Sequence, residues 1–269
     1  MTALPEKGIC AHRGAMGTHP QNTLAAFREA IRLGAQMIEF DVRKSRDEQL
    51  FLYHDLTLVQ LTGQEQRPEE LTLAELKAID AGSWKAPRFR GERIPTLEET
   101  LTIMPVNVWL FAHVQLGDLN LVQEVARMIF RHGRQQQAIL GTLPDKIEAA
   151  RRACPEIVTA NMRGRPNTPE YVVESIALNV DFVRFRSGHR NDRPMTPALV
   201  DQARAAGMRV IYFEPNDPEE LPGLYEIGVD FPVVEATAEM VKAAEEVGFK
   251  PVEPIFRGSG PKSEDQKQD

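Results

Sequence analysis

Three short stretches decide the fold of this chain: His12-Arg13-Gly14, Ile38-Glu39-Phe40-Asp41-Val42 and Leu52-Tyr53-His54-Asp55. Each stretch closes an apolar run, and short apolar runs bounded by turn residues are typical of buried parallel strands. In parallel α/β folds the reacting groups lie at the C-terminal ends of the strands. The pattern therefore predicts three consecutive strands that bring two histidines, two carboxylates and an arginine to one mouth.

Segments typical of strands and helices alternate along the rest of the chain. The first three strands are expected at residues 8–11, 37–42 and 50–54, with a helix at residues 24–33. From residue 95 onward, helices and strands alternate, which gives about eight to nine strand–helix units in all. This number favours an α/β fold of the closed (β/α)8 kind, a TIM barrel, over an open sheet. No Gly-rich dinucleotide fingerprint follows the first strand, which argues against a nucleotide-binding sheet.

The barrel domain is expected over residues 1–250, with one insertion and one tail. Residues 56–95, after the third predicted strand, contain polar turns and two short helix-like pieces, PEELTLAELKAID and AGSWKAPRFRGER. This segment is interpreted as a small insertion over the mouth, where rim loops commonly carry substrate selectivity. Residues 251–269 are polar and are predicted to form a disordered tail.

Composition limits the classes of function. Of the 269 residues, 42% are hydrophobic and 26% are charged, which is ordinary for a globular protein. The net charge of −7 argues against nucleic acid as the main partner. The sequence contains no apolar stretch long enough to span a bilayer, and its N-terminal segment lacks the pattern of a secretory signal. These features predict a cytoplasmic protein without a transmembrane segment, and the oligomeric state is left open.

Two acids on the second predicted strand are candidates for metal binding. Glu39 and Asp41 are two residues apart, so their carboxylates point to the same face of the strand, into the barrel. Two like charges at one mouth repel each other unless a cation lies between them, and carboxylate oxygens suit Mg²⁺, Ca²⁺ or Mn²⁺. The alternative is a pair of solvated acids, but the inward face of a barrel strand is not solvated at depth.

Two histidines end the strands on either side of these acids. One of His12 and His54 could deprotonate a nucleophile while the other protonates a leaving oxygen. Arg13, directly after His12, is typical of a phosphate clamp beside a metal, although a salt bridge to an acid at the rim is the alternative interpretation. With Arg13, this set of groups indicates a ligand that carries phosphate.

The motifs together resemble the glycerophosphodiester phosphodiesterases. HRG, PQNTLAAF, GAQMIEFDVRKSRD and LYHDLTL carry the resemblance, and IPTLEETL and NDPEELPGLYEIGVD extend it along nearly the whole chain. The resemblance implies a metal-dependent barrel that hydrolyses glycerophosphodiesters to an alcohol and glycerol 3-phosphate. It also implies that His12 and His54 are the acid/base pair, that Arg13 binds phosphate, and that Glu39 and Asp41 bind one divalent metal ion.

The fourth strand departs from the family pattern. The family carries a third metal ligand, a Glu, within a pattern like I-E-x-K, whereas this chain has His113 at the Glu position and Gln115 at the Lys position. Imidazole shifts the preference away from Mg²⁺ and Ca²⁺ towards Mn²⁺, Fe²⁺ or Zn²⁺. Alternatively, a protonated His113 would lie directly on the two acids and replace the cation. The missing Lys removes a positive group from the phosphate, and Arg184 and Arg186 on a late strand are candidates to restore it.

The sequence leaves more than one activity possible. The late aromatic residue of the family, before an Asn, corresponds to Phe213 in the run FEPN. The changes at positions 113 and 115 allow an impaired relative that binds phosphodiesters or a partner without cleaving them. A third hypothesis is action on a lysophospholipid headgroup by intramolecular transfer, with Trp84 and Phe89 near the acyl chain, although packing of the insertion is the alternative role for both.

Overall fold

Eight parallel strands close into a barrel in the computed structural model, which describes residues 3–164, 166–187, 193–215 and 217–257. The barrel is closed because the first strand pairs with both the second and the last. The α/β TIM barrel predicted from the sequence is therefore confirmed. Its strands are β1 Cys10–Ala11, β2 Met37–Lys44, β4 Trp109–Val114, β5 Ala138–Thr142, β6 Val158–Asn161, β7 Phe182–Arg186, β8 Arg209–Phe213 and β9 Phe231–Val234.

Helices cover the outside of the barrel. Two of them show how the sequence sets their ends: the side chain of Thr23 caps the first helix, and Thr96 and Glu99 form the predicted capping box before the fourth. The helices outside the insertion are α1 Leu24–Arg32, α4 Leu97–Ile103, α5 Leu119–Arg131, α6 Pro144–Ala153, α7 Pro169–Ala177, α8 Pro197–Ala205, α9 Leu221–Glu226 and α10 Thr237–Glu246. Among the residues described, no helix combines the length and the apolar character needed to cross a bilayer.

The third strand does not belong to the barrel. β3, Leu50–Leu52, pairs antiparallel with the end of β2, so the prediction of a third parallel strand at residues 50–54 is wrong. The reason is the short connection: the N–H group of Ser45 donates to the carbonyl of Gln49 in a tight turn. A parallel neighbour needs a crossover of about a dozen residues or more, whereas a short turn joins antiparallel strands.

The insertion after β3 has its own small core. It contains α2 Val59–Thr62, α3 Leu73–Ala78 and two short 3-10 helices at Pro68–Glu70 and Pro87–Phe89. Its buried apolar side chains form one cluster with β3: Phe51, Tyr53, Leu58, Leu76, Ala81 and Ile94. Lys85 donates from this segment to the carbonyl of Met16, in the loop after β1. The insertion is thereby attached to the loop that follows β1.

The two faces of each barrel strand have different surroundings. On β2, Ile38 and Phe40 pack outward in the cluster beneath the helices, whereas Met37 packs inward with Phe111 and Phe213 in the barrel interior. This alternation is the one predicted for β2 from the period of two residues in a strand. It turns the side chains that follow Met37 at every second position towards the barrel axis.

The predicted tail differs from the structure in its first part. Residues 251–257 run along the barrel, where the N–H of Val252 donates to Gly34, the N–H of Val106 donates to Ile255 and the side chain of Asn107 donates to Glu253. These hydrogen bonds hold the segment in place, because it is polar and has few apolar contacts. Residues 251–257 of the predicted tail are therefore bonded to the barrel, the domain bounds stay a prediction, and residues 258–269 lie outside the described residues.

A buried arginine connects α4 to the strand that follows α5. Arg134 is 3% exposed and its guanidinium donates to the carbonyls of Leu101, Met104 and Pro105 and to the side chain of Gln137. We expect Arg134→Met to lower the free energy of unfolding by about 3 kcal/mol, because carbonyls at the C-terminal end of α4 lose their donor while they remain buried. Urea denaturation followed by circular dichroism measures this change.

The matched control is Arg131→Met, which removes an exposed arginine three positions earlier. We expect this change to alter the free energy of unfolding by no more than about 0.5 kcal/mol. Equal effects of the two substitutions would contradict the role of Arg134.

Candidate active site

His12 lies at the C-terminal end of β1, inside the barrel mouth. Its N–H group donates to the carbonyl of Val234, the last residue of β9, so the strand pairing fixes its backbone. The imidazole is buried, with Nε2 4.0 Å from Oε2 of Glu39 and Nδ1 3.9 Å from Oε1 of Glu235. Its ring meets Phe213 edge to face, at 5.7 Å between ring centroids. The structure thus places His12 beside Glu39, and its catalytic role stays a prediction.

The two acids and His113 form one cluster. Asp41 and His113 are register partners on β2 and β4, so their side chains leave adjacent strands on the same inward face. Nδ1 of His113 lies 3.3 Å from Oδ1 of Asp41 and 3.8 Å from Oε1 of Glu39. One ligand atom from each of the three residues lies within 4.8 Å of the other two. This donor set fits a divalent cation, and it equally fits a protonated imidazole lying on two carboxylates.

The pKa values of the two acids shift in opposite directions. Burial and the neighbouring charge of Asp41 raise the pKa of Glu39 well above its ordinary value. Burial also tends to raise the pKa of Asp41, but the hydrogen bond and charge of His113 outweigh it and lower that pKa. The cluster therefore needs positive charge to hold both carboxylates ionised, as the sequence predicts.

Arg13 makes an ion pair with one of these acids. Its Nε lies 3.4 Å from Oδ2 of Asp41, and its Nη1 donates to Oε1 of Gln21. The backbone of Arg13 is in the left-handed region, with φ of 50°, and this turns its N–H towards Oε2 of Glu39 at 3.0 Å. The contact with an acid is the alternative that the sequence left open for Arg13, and phosphate binding stays a prediction.

Asn22 is a positioning residue that the sequence interpretation missed. Its side-chain amide donates to Oδ2 of Asp41 at 2.9 Å, and its side-chain oxygen accepts from the N–H of Asp41 at 3.1 Å. The N–H of Asn22 donates to the carbonyl of Arg13. The run PQNT carried a signal for this role, because a buried Asn beside a helix cap can bond both backbone and side chain.

Replacement of Asn22 tests this role. We expect Asn22→Ala to lower the free energy of unfolding by about 2 kcal/mol and the turnover by about 10-fold or more, because Asp41 loses two partners. Asn22 has a φ of 54°, so part of the destabilisation would come from the backbone alone.

Asn22→Gly is the matched control, because glycine tolerates this φ and also lacks the amide. We expect Asn22→Gly to fold more stably than Asn22→Ala and to be equally slow in turnover. Full turnover of Asn22→Gly would show that Asn22 does not position Asp41.

His54 lies on the segment that pairs with the end of β2. It follows β3, and the N–H of Tyr53 donates to the carbonyl of Asp41, which ties this segment to β2. The side chain of His54 is 33% exposed, and its Nδ1 lies 2.8 Å from Oδ1 of Asp55. This contact lowers the pKa of Asp55. The charge of His54 acts on both His12 and Asp41, so the structure brings the two histidines into one electrostatic environment.

Burial gives His12 an unusual charge state. Burial first, and the nearby charge of Arg13 second, lower the pKa of His12 to about 3. His12 is therefore neutral near pH 7. A neutral imidazole accepts a proton, whereas an imidazolium donates one.

The other two predicted site residues have different surroundings. Phe213 is buried and lies 6.3 Å from Phe111 between ring centroids, so the two rings meet across the barrel beneath the mouth. Gln115 directly follows β4 and is exposed. Of the run FEPN, Asn216 lies outside the described residues.

Comparison with known proteins identifies the family. The profile of the glycerophosphoryl diester phosphodiesterase family matches residues 12–235. YhdW of Bacillus subtilis (strain 168), assigned as a glycerophosphodiester phosphodiesterase, is 35% identical over 162 residues, which cover 59% of this chain and 66% of YhdW. A glycerophosphodiester phosphodiesterase of Caldanaerobacter subterraneus subsp. tengcongensis is 43% identical over 96 residues, covering 36% of this chain and 40% of that relative. The chain thus matches less than two thirds of the length of either relative.

A solved structure shows the same fold. The phosphodiesterase of Oleispira antarctica, determined in complex with the product sn-glycerol-3-phosphate, has a TM-score of 0.75 and 24% identity, covering 88% of this chain and 96% of that one. The family profile spans both histidines, both acids and the altered fourth strand. The chain therefore belongs to the glycerophosphoryl diester phosphodiesterase family.

Proposed function

We propose that this chain hydrolyses glycerophosphodiesters to an alcohol and glycerol 3-phosphate, with His12 and His54 as the acid/base pair. The observation that carries the proposal is the placement of two unlike histidines around one buried acid cluster. His12 is buried and neutral near pH 7, whereas His54 is partly exposed and paired with Asp55. Two imidazoles in unlike surroundings suit opposite proton transfers.

His12 is the proposed base. Its Nε2 faces Glu39 and the acid cluster, where the phosphate would bind. In the proposed reaction, Nε2 takes the proton of the attacking hydroxyl, from water or from the neighbouring hydroxyl of the substrate, as the oxygen bonds to phosphorus. Attack by water gives glycerol 3-phosphate directly. Attack by the neighbouring hydroxyl gives a cyclic phosphate, and a water molecule must then bond to phosphorus and break one ring P–O bond, with the proton roles of the two histidines reversed, to give glycerol 3-phosphate. The positive imidazolium formed would lie beside Glu39, which stabilises the charge.

His54 is the proposed acid. Its Nδ1 is held by Asp55, which leaves Nε2 to face the substrate. The bond between phosphorus and the alcohol oxygen breaks, and Nε2 gives its proton to that oxygen. Asp55 holds the ring of His54 in place through Nδ1, in the way that a carboxylate orients an imidazole in other hydrolases.

Arg13 and the acid cluster complete the proposed site. The guanidinium of Arg13 is permanently charged and would bind phosphate oxygens from its place beside Asp41. Glu39, Asp41 and His113 are the residues that would hold a divalent cation. When bound, such a cation supplies Lewis-acid stabilisation of the charge on the phosphate.

A specific observation keeps lysophospholipids as a second candidate substrate. Leu56, which is 63% exposed, and Val59, which is also exposed, directly follow the His54–Asp55 pair. Exposed apolar residues at the rim of a site can contact an acyl chain. Phe89 is unsuited to this role, because it is buried and its ring lies 4.8 Å from that of His19. Trp84 is half-buried and donates to the carbonyl of Ala81.

The direct test is release of glycerol 3-phosphate by the wild-type protein. Glycerophosphocholine, glycerophosphoethanolamine and lysophosphatidylcholine are incubated in turn with Mg²⁺, Ca²⁺, Mn²⁺ or Zn²⁺. We expect glycerol 3-phosphate from the first two substrates with at least one ion. Lysophosphatidylcholine keeps its acyl chain when the headgroup is cleaved, so its cleavage is followed by release of choline. Faster release of choline from lysophosphatidylcholine than from glycerophosphocholine would favour the second candidate. Absence of cleavage in every combination would contradict hydrolysis and favour a relative that binds phosphodiesters without cleaving them.

A further inference from the structure

A second arginine lies inside the barrel, across from the acids. Arg184 follows Phe182 at the next inward position of β7, and Phe182 packs in the barrel interior. In TIM barrels, alternate strands contribute to each layer of inward side chains. The strand registers place Arg184 in one layer with Glu39, on the opposite side of the ring. The next layer towards the mouth contains His12 and Phe213.

The guanidinium of Arg184 reaches the mouth rather than the barrel centre. Its Cζ lies 5.6 Å from the ring centroid of Phe213, the ring that also meets His12 edge to face. Its Nη2 donates to the carbonyl of Arg163, beyond the end of β6, at 3.0 Å. The guanidinium of Arg184 therefore lies against Phe213, the same aromatic ring that the imidazole of His12 contacts.

The neighbouring arginine is placed differently. Arg186 lies one inward position further along β7, and it forms an ion pair with Glu214 at 3.5 Å. Both partners are about one third exposed. Arg184 is 8% exposed. Burial strengthens the interaction of a charge with a bound anion, because less water screens it, so Arg184 is the better placed of the two.

The charge of the site requires such a group. Gln115 occupies the position at which the family carries a Lys, and its side chain is neutral and exposed. A phosphodiester brings one negative charge to a cluster that already contains Glu39 and Asp41, and further charge develops on the phosphate oxygens during the reaction. A guanidinium stays protonated near neutral pH and can donate two parallel hydrogen bonds to a phosphate.

We propose that Arg184 is a second phosphate-binding residue, which supplies from β7 the positive charge that Lys supplies from the fourth strand elsewhere in the family. This inference rests on the proposed function, because it assumes that the phosphate binds between His12 and the acid cluster. It differs from the role of Arg13, which approaches from the opposite wall and already contacts Asp41.

The barrel contains a matched control arginine. Arg209, the first residue of β8, also points into the interior, and its Cζ lies 5.2 Å from the ring centroid of Trp109 and 4.9 Å from that of Phe231. It lies at the N-terminal end of the strands, away from the mouth. Arg184→Met and Arg209→Met each remove a guanidinium stacked on aromatic rings, so a purely structural role predicts similar consequences for both.

The experiment measures binding of sn-glycerol 3-phosphate by isothermal titration calorimetry at constant ionic strength. Wild type, Arg184→Met, Arg184→Lys and Arg209→Met are compared, and the melting temperature of each is recorded. We expect Arg184→Met to raise the Kd by about 10- to 100-fold, as for loss of hydrogen bonds to a charged group. We expect Arg184→Lys to raise it less, and Arg209→Met to lower the melting temperature while leaving the Kd within about twofold.

The outcomes separate this proposal from the proposed function. A Kd of Arg184→Met within about twofold of the wild type, or equal changes in Arg184→Met and Arg209→Met, would overturn phosphate binding by Arg184 even if the wild type hydrolyses glycerophosphodiesters. Conversely, a wild-type protein that binds glycerol 3-phosphate through Arg184 but cleaves no substrate would support the binding role and overturn the hydrolysis. If Arg184→Met does not fold, Arg184→Gln takes its place, and an unchanged Kd in that variant would also overturn the proposal, because an amide supplies no positive charge.

Discussion

Replacement of His12 by alanine is expected to lower kcat for release of glycerol 3-phosphate by about 10²- to 10⁴-fold, the usual contribution of a positioned general base. His54→Ala is expected to lower kcat by a comparable factor, because it removes the acid for the leaving oxygen. The two effects should not multiply in the double variant, since the groups act in one proton-transfer sequence. Steady-state kinetics with glycerophosphocholine measure all three.

The control for these variants is His132→Ala. His132 follows α5 and lies 3.8 Å from Glu98, far along the chain from the mouth motifs. We expect this variant to keep the wild-type kcat. Wild-type turnover in both His12→Ala and His54→Ala would contradict the acid/base assignment.

The acid dependence of stability tests the burial of His12 separately from catalysis. The folded protein holds the pKa of His12 at about 3, below its ordinary value of 6.5. Between these two values the unfolded chain binds a proton that the folded chain does not bind. Stability is therefore expected to fall as the pH falls through this window, and His12→Ala should reduce that fall. Denaturation at a series of pH values measures the difference, and equal slopes in both proteins would contradict a buried neutral His12.

The sequence correctly predicted which side chains of β2 share the inward face, because this orientation depends only on the strand itself. Side chains in a strand alternate between faces, so Met37, Glu39 and Asp41 share one face whatever surrounds the strand. His113 follows by the same rule on β4, and the register between the strands then brings it to Asp41. Capping of α4 by Thr96 and Glu99 is similarly local. Each of these features depends on neighbours that are close in the sequence.

Features that depend on distant partners were harder to predict. The antiparallel pairing of β3 is set by the tight turn at Ser45 and Gln49. The pattern of apolar residues alone does not predict this turn. The role of Asn22 depends on Asp41, nineteen positions later, and the packing of residues 251–257 depends on Gly34. The sequence identified Arg184 as a candidate positive charge on a late strand. Its position opposite Glu39 follows only from the strand registers of the closed barrel.

Chelation of divalent ions is expected to lower turnover by the wild-type protein by at least about 10²-fold, because the negative charge of the acid cluster would then repel the phosphate of the substrate. We expect Mn²⁺ or Zn²⁺ to restore turnover better than Mg²⁺ or Ca²⁺. The reason is His113, whose imidazole nitrogen replaces an oxygen donor beside Glu39 and Asp41. In His113→Glu the order should move towards Mg²⁺ and Ca²⁺, which prefer oxygen ligands.

A second variant distinguishes a metal ligand from a cation substitute at this position. His113→Gln keeps a polar side chain of similar size but removes the imidazole, so a metal-bound enzyme should lose affinity for Mn²⁺ and Zn²⁺. If a protonated His113 instead replaces the metal, the wild type should stay active after chelation, and His113→Glu should lose turnover because it adds a third negative charge beside Glu39 and Asp41. The distance of 3.3 Å between His113 and Asp41 allows both arrangements, but only the metal-bound one predicts that the preferred ion changes with the residue at position 113.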